Sequence, residues 1–253
     1  MNFSFLLDPI NSVLKTRGIQ LSEIEKDFQY APAYYSAKFR KKTDIRYIPI
    51  FRERAREVMG NQRSLMSWDR LYALFSVLEN RDLHSRSSSF AEVGSYRGGG
   101  AHFMAAVASD LGYTNRLHVI DTFEGFPDDF DQKDGQQLAG AFGETSFEDV
   151  CQYLSPWPKT QVHKGRIEGF GDLISSETFS LVHLDVDLYG ATKAGLAMFL
   201  PQMVVGGVIL VDDYGHETCP GVKLAVDEFC LSTPSVFRMH LLTAQCLLVK
   251  CAP

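Results

Sequence analysis

The chain has 253 residues, 45% of them apolar and 22% charged, so it is long enough to bury a sizeable core as one large domain or as one domain with an extension. Its formal charge of −6 argues against a general nucleic-acid binder, and no run approaches the roughly 18 apolar residues of a membrane helix. A cytoplasmic protein is expected, with its five scattered cysteines as reduced thiols rather than a disulfide framework or a zinc site.

From residue 1 to about 80 the pattern is helical and polar. Its clearest piece is SWDRLYALFSVLEN, where Leu71, Leu74, Phe75 and Leu78 fall at i, i+3, i+4 and i+7 behind Ser67 as a cap. From residue 90 onward short apolar runs (FAEVG, RLHVID, TQVHKG, FSLVHLD, GGVILVDD) alternate with helical stretches, the signature of a parallel sheet with helices on both faces. Helices are predicted over 99–110, over 147–154 behind a capping box of Thr145 and Glu148, and over 192–200 stopped by Pro201. After a last helix, GVKLAVDEFC, the segments FRMHLL and AQCLLVKC read as a hairpin that closes the sheet with an antiparallel strand. The predicted organisation is a helical extension over 1–85 and a doubly wound, mostly parallel seven-stranded Rossmann-like domain over 86–253.

Charge is unevenly placed. Residues 38–63 hold nine Lys/Arg against three acids, while residues 121–149 hold nine acids against Lys133 alone. Each is either a solvated face or half of a contact, within one chain or across a dimer, in which the acidic segment 126–146, a candidate lid carrying Phe126, Phe130 and Phe142, settles on the basic stretch from Lys38 to Arg63, with Arg52, Arg54 and Arg56 as its test.

In a doubly wound sheet, ligands bind beyond the carboxyl ends of the strands. The turn GSYRGGG after the first strand lacks the G-x-G-x-x-G order of a dinucleotide site, and Glu92 precedes it. An acid there suits a ligand bearing its own ammonium group, such as the amino-acid end of S-adenosylmethionine. Asp121, closing the second strand, is placed for ribose hydroxyls or for a cap. In HLDVDLYG, Asp185 and Asp187 fall on one face if the strand runs from 179 to 187, and Asp212 lies 27 residues after Asp185, so the two end adjacent strands. With Asp213, these acids repel unless a cation sits among them; an all-oxygen set favours Mg²⁺, with Mn²⁺ or Ca²⁺ as rivals. His118 and His183 lie inside strands and read as core residues, whereas His216 falls at the same rim and is a candidate for proton transfer.

Four segments together, E-x-G-x-x-x-G-G at 92–99, D-T-F-E-G-F-P at 121–127, H-L-D-V-D-L-Y at 183–189 and G-G-V-I-L-V-D-D-Y-G with P-G-V-K-x-A-V-D-E-F at 206–229, resemble the macrocin O-methyltransferase family. The resemblance implies methyl transfer from S-adenosylmethionine to a hydroxyl of a small molecule, a sugar or phenol of a natural product. It implies a cofactor site of Glu92, Gly94, Tyr96, Arg97, Gly98, Asp121, Thr122 and Phe123, and magnesium held by Asp185, Asp212 and Asp213. Asp185 is the first candidate for the base, with Asp187 and His216 behind it. A homodimer or higher homo-oligomer is implied, with no nucleic-acid or membrane partner. HKGRIEGF departs from the family pattern near Arg166 to Phe170. A non-catalytic adenosyl-binding module is the alternative from another class, lacking a reason for the acids at 185, 212 and 213.

Overall fold

The computed structural model describes residues 49–80, 88–129, 131–135 and 139–253. Phe130 and the basic residues before 49 lie outside the described residues. Helix α1 (Pro49–Asn61) and helix α2 (Trp68–Leu78) come first. The four apolar residues of the α2 stripe are all buried, as their spacing predicts. Phe51 of α1 meets Trp68, Tyr72 and Phe75 of α2, and also Phe103 of α3 (Gly99–Asp110), at centroid distances of 5.2–6.3 Å. Offset and edge contacts of this kind join the first two helices to one compact body over 48–253.

Seven strands follow: β1 (Ser89–Val93), β2 (Leu117–Asp121), β3 (Thr160–Lys164), β4 (Phe179–Leu184), β5 (Met203–Val211), β6 (Val236–His240) and β7 (Cys246–Lys250). Their order is β3-β2-β1-β4-β5-β7-β6. The first five are parallel, and β7 inserts antiparallel between β5 and its hairpin partner β6, as expected from the terminal hairpin. β1 and β4 are buried along their whole length because both faces carry helices; β3, on an edge, reads TQVHK and is only partly covered. The remaining helices are α4 (Phe147–Leu154), α5 (Gly171–Ser175), α6 (Tyr189–Gln202) and α7 (Pro220–Ser232). Among the described residues no helix is long and apolar enough to cross a membrane.

Three local expectations change. The cap of α4 is Ser146, whose side chain accepts from the Asp149 N–H, while the Thr145 hydroxyl is drawn off to the Tyr96 carbonyl. Helix α6 begins at Tyr189 rather than 192, and Pro201 sits in its last turn, where the helix ends before β5. Strand β4 stops at Leu184, because Asp187 takes a left-handed φ of 58° that no strand continues through.

Strand order reverses between β1 and β4, since β1 leads outward to β2 and β4 outward to β5. The ladder runs one residue beyond each strand: Gly94 N–H donates to Ile120 O, Asp185 N–H to Val93 O and Asp212 N–H to Leu184 O, all at 2.8–2.9 Å. The register therefore sets Gly94, Asp121, Asp185 and Asp212 along one rim, at the switch point where such folds bind ligands.

Candidate active site

A cavity of about 510 Å³ opens at that rim, a size suited to small molecules. One half is built by the turn after β1. A Cβ at Gly94 would lie 1.7 Å from the Asp185 carbonyl oxygen, and one at Gly100 would lie 2.1 Å from Glu92 Oε1, so these glycines admit neighbouring parts of the protein itself. The Asp121 carboxylate takes three backbone donors, the N–H groups of Ser95 (2.6 Å), Tyr96 (2.8 Å) and Phe123 (2.7 Å). It thereby fastens the β1 turn to the β2 turn, with Tyr96 and Phe123 in left-handed backbone.

Glu92 is 1% exposed. Its Oε1 lies 3.1 Å from His183 Nδ1, and its Oε2 has no hydrogen-bond partner among the described residues. An orphaned buried carboxylate oxygen is costly unless a ligand completes it. On its other side His183 Nε2 faces Asp212 Oδ2 at 3.5 Å. Burial opposes charge on this imidazole, but Asp212 and Glu92 outweigh it, and the ring titrates well above the ordinary histidine range. His183 is thus the core residue expected from sequence, and it also joins the two halves of the rim.

The acidic half follows β4 and β5. Ligand atoms of Asp185, Asp187 and Asp213 lie within 4.8 Å of one another, as do those of His183, Asp185 and Asp212. Burial, then the neighbouring carboxylates Asp212 and Asp187, hold the Asp185 carboxyl well above the usual range. Asp187 is likewise pushed well up by burial and by Asp213, although the Cys219 thiol donates to it at 3.6 Å. Burial opposes charge on Asp213, but its hydrogen bond from Asp187 and the Arg70 guanidinium outweigh that and keep it below the usual range.

Arg70 escaped the sequence reading. From α2 it reaches Asp212 Oδ1 at 3.0 Å and Asp213 Oδ1 at 2.8 Å, and its Nε donates to the Thr243 carbonyl at 3.1 Å. Nothing in an amphipathic repeat marks the arginine that will cross to a rim 143 residues away. Part of the positive charge that the acids demand is this guanidinium, which pairs directly with Asp212 and Asp213, while the His183 imidazole lies beside Asp185.

Of the residues singled out from sequence, Glu92, Gly94, Tyr96, Asp121, Thr122, Asp185, Asp187 and Asp213 line the cavity. Asp212 lies behind it, 1% exposed. Gly98 packs toward Val150, Phe123 packs on Phe147, and Arg97 turns outward to Glu144. His216 is exposed, with Nδ1 2.8 Å from the Thr218 hydroxyl.

Of the basic stretch 38–63, only residues 49–63 lie among the described residues. Arg54 binds Asp110 and Glu57 instead of the segment, and of the basic stretch only Arg63 meets an acid of 121–149, Asp149, among the described residues. Asp129 pairs with Arg166 at 2.5 and 3.2 Å, so the departure at HKGRIEGF supplies a lid partner. Phe142 sits between Tyr96 and Phe126 at 5.9 and 5.1 Å, forming an aromatic wall beside the cofactor turn.

The sequence profile of the family described as Macrocin-O-methyltransferase (TylF) matches residues 33–233. Among curated relatives, the demethyldecarbamoylnovobiocin O-methyltransferase of Streptomyces niveus is 26% identical over 197 residues, 74% of each chain. The mycinamicin III 3''-O-methyltransferase of Micromonospora griseorubida is 24% identical over 200 residues, 74% of this chain and 78% of that one. The solved O-methyltransferase NovP has the same fold, with a TM-score of 0.60 at 20% identity over 76% of this chain and 83% of that one. The calicheamicin methyltransferase CalS11 superposes with a TM-score of 0.57 at 16% identity, covering 92% of this chain and all of that one.

Proposed function

This chain belongs to the macrocin O-methyltransferase family and is an S-adenosylmethionine-dependent O-methyltransferase; on that premise we propose that it methylates a hydroxyl of a sugar or phenol within a natural product, with a divalent cation at its acidic rim. The names of its relatives specify hydroxyls on such compounds for those proteins.

The residues present fit both groups. For the cofactor, the orphaned Glu92 Oε2 awaits a donor such as an ammonium group, and the turn from Gly94 to Tyr96 lines the same cavity. For the metal, carboxylate oxygens of Asp185, Asp187 and Asp213 lie within 4.8 Å of one another, and burial with mutual repulsion holds Asp185 and Asp187 well above the usual carboxyl range, a strain that a cation among them would relieve. Oxygen donors in a partly open site suit Mg²⁺, with Mn²⁺ or Ca²⁺ as substitutes. When bound, the sulfonium carries an already activated methyl group, and the cation lowers the pKa of a hydroxyl and orients it.

The chain's own residues then do three things. Asp121 holds Ser95, Tyr96 and Phe123, so the turn needs no reorganisation when it is filled. Tyr96, Phe126 and Phe142 keep water from one side of the cavity. Asp185, with Asp187 beside it, accepts the hydroxyl proton, because its carboxylate lines the cavity where the acceptor would lie and a raised carboxyl is a stronger base than an ordinary one. Residues 63–66 and Arg70 line the cavity as well, so the segment before β1 contributes to acceptor choice.

The observation that carries the reading is that Glu92, Asp121, Asp185, Asp187 and Asp213 all face or flank one cavity. The test is methyl transfer from labelled S-adenosylmethionine to a panel of phenols, deoxysugars and glycosylated aromatics, with and without Mg²⁺. Labelled products on hydroxyl oxygens are expected; transfer confined to nitrogen or carbon acceptors would contradict the proposal.

A further inference from the structure

We infer that Asp134 is a positioning residue that binds the segment after β2 to the acid loop 185–188, so that the cavity wall and the carboxylates move as one body. The inference rests on the reading that these carboxylates are the working groups of the methyltransferase.

Asp134 closes a single 3₁₀ turn over Gln132–Asp134, and its carboxylate is fully buried in a segment otherwise rich in exposed acids. Oδ2 accepts from the Asp131 N–H at 3.1 Å, which shapes the turn. Oδ1 accepts from the N–H of Tyr189, 55 residues away, the first residue of α6. Helix α6 starts immediately after the acid loop, and its own cap position is Leu188, which has no side-chain acceptor. A helix start exposes N–H groups and a partial positive charge, both satisfied by a carboxylate. Asp134 thus supplies from the candidate lid the cap that the local sequence omits.

The surroundings are shaped to that carboxylate. A Cβ at Gly221, near the start of α7, would lie 2.1 Å from Asp134 Oδ1 and 2.9 Å from Tyr189 Cβ, so only glycine leaves room for the contact. Lys133 Nζ sits 3.8 Å from the centre of the Tyr189 ring, whose hydroxyl donates to Glu228 on α7 at 2.7 Å. Residues 131–135 are thereby clasped between the starts of α6 and α7. Asp131 and Asp134 line the cavity on one side of the clasp, and Asp185, Asp187 and Leu188 line it on the other.

Two variants approach the contact from opposite sides. Asp134→Asn keeps the shape and removes the charge; Gly221→Ala keeps every polar group and displaces the carboxylate. For each, amide hydrogen exchange is followed over 131–135 and 186–192 in the full chain loaded with S-adenosylhomocysteine, and Mn²⁺ binding is read by electron paramagnetic resonance. Both segments are expected to exchange about tenfold faster together, the size of a lost helix cap, and Mn²⁺ binding to weaken by about as much, with S-adenosylhomocysteine affinity retained. Faster exchange in one segment alone would overturn the inference, as would parallel loss of S-adenosylhomocysteine affinity, which marks general damage to packing. Should Asp134→Asn unfold, Gly221→Ala gives the same reading with the carboxylate's charge retained and only its position changed. A wild-type protein that binds no Mn²⁺ would defeat the proposed metal dependence, and the exchange result would still decide the coupling.

Discussion

The two halves of the rim handle buried carboxylates in opposite ways. At the β2 end, Asp121 is met by three backbone N–H groups and the turn is complete as it stands. At the β4 and β5 ends, Asp185, Asp187, Asp212 and Asp213 share one guanidinium and one imidazole, and two of the four titrate well above the usual range. The difference separates a turn whose carboxylate is fully satisfied by backbone donors from a cluster whose carboxylates repel one another, and it is on this contrast that the proposed cofactor turn and cation centre rest.

Removing the unfinished half should cost the most. Asp185→Asn is expected to lower turnover by about a hundredfold or more, the usual worth of a positioned base, while S-adenosylhomocysteine binding measured by calorimetry stays intact. Equal loss of both would return Asp185 to a structural role. Arg70→Met should come next, because it leaves Asp212 buried without its guanidinium. A stability loss of about 2 to 4 kcal/mol is expected in chelator, with part of it recovered on adding Mg²⁺. Denaturant titration with and without the ion reads both, and a loss indifferent to Mg²⁺ would mean that guanidinium and cation do not serve the same acids.

On the finished half, Asp121→Ala releases three N–H groups at once and should weaken cofactor binding by about 1 to 3 kcal/mol with the acids' behaviour unchanged. Unaltered affinity would show that the turn holds itself. The smallest effect concerns Cys219. Burial and Asp187 push its thiol up to about 12, which leaves roughly one thiolate in ten thousand at pH 8. Mass spectrometry after brief alkylation should find exposed Cys251 labelled and Cys219 unlabelled; rapid labelling of Cys219 would show that the acid loop opens.

Much of the fold was legible because its signals are local and periodic. The α2 stripe, the alternation of apolar runs with helices, and the closing hairpin each need only neighbouring residues, and strand spacing correctly set Asp185 and Asp212 on adjacent strands. The glycines were legible as close approach, but what approaches at Gly94 and Gly100 is Asp185 and Glu92 of the protein itself. Three things were not legible. Arg70 is one polar residue of an ordinary amphipathic helix until tertiary packing brings it to the rim. Strand alternation did set Asp185 and Asp187 on one face, but the left-handed turn at Asp187 by which they meet was not foreseen. The partners of the acidic segment also depended on distant geometry: among the described residues Arg54 is taken by Asp110, Arg63 meets Asp149, and Asp129 turns to Arg166.

Cation dependence of the unfinished half is the central claim, and one measurement addresses it directly. Methyl transfer to an accepted hydroxyl compound is followed in excess chelator and again after Mg²⁺ is restored, with S-adenosylhomocysteine affinity measured in both states. The account predicts that transfer stops and returns while that affinity stays the same. Undiminished transfer in excess chelator would contradict it and leave the acids at 185, 187 and 213 as an ion-pair cluster around Arg70.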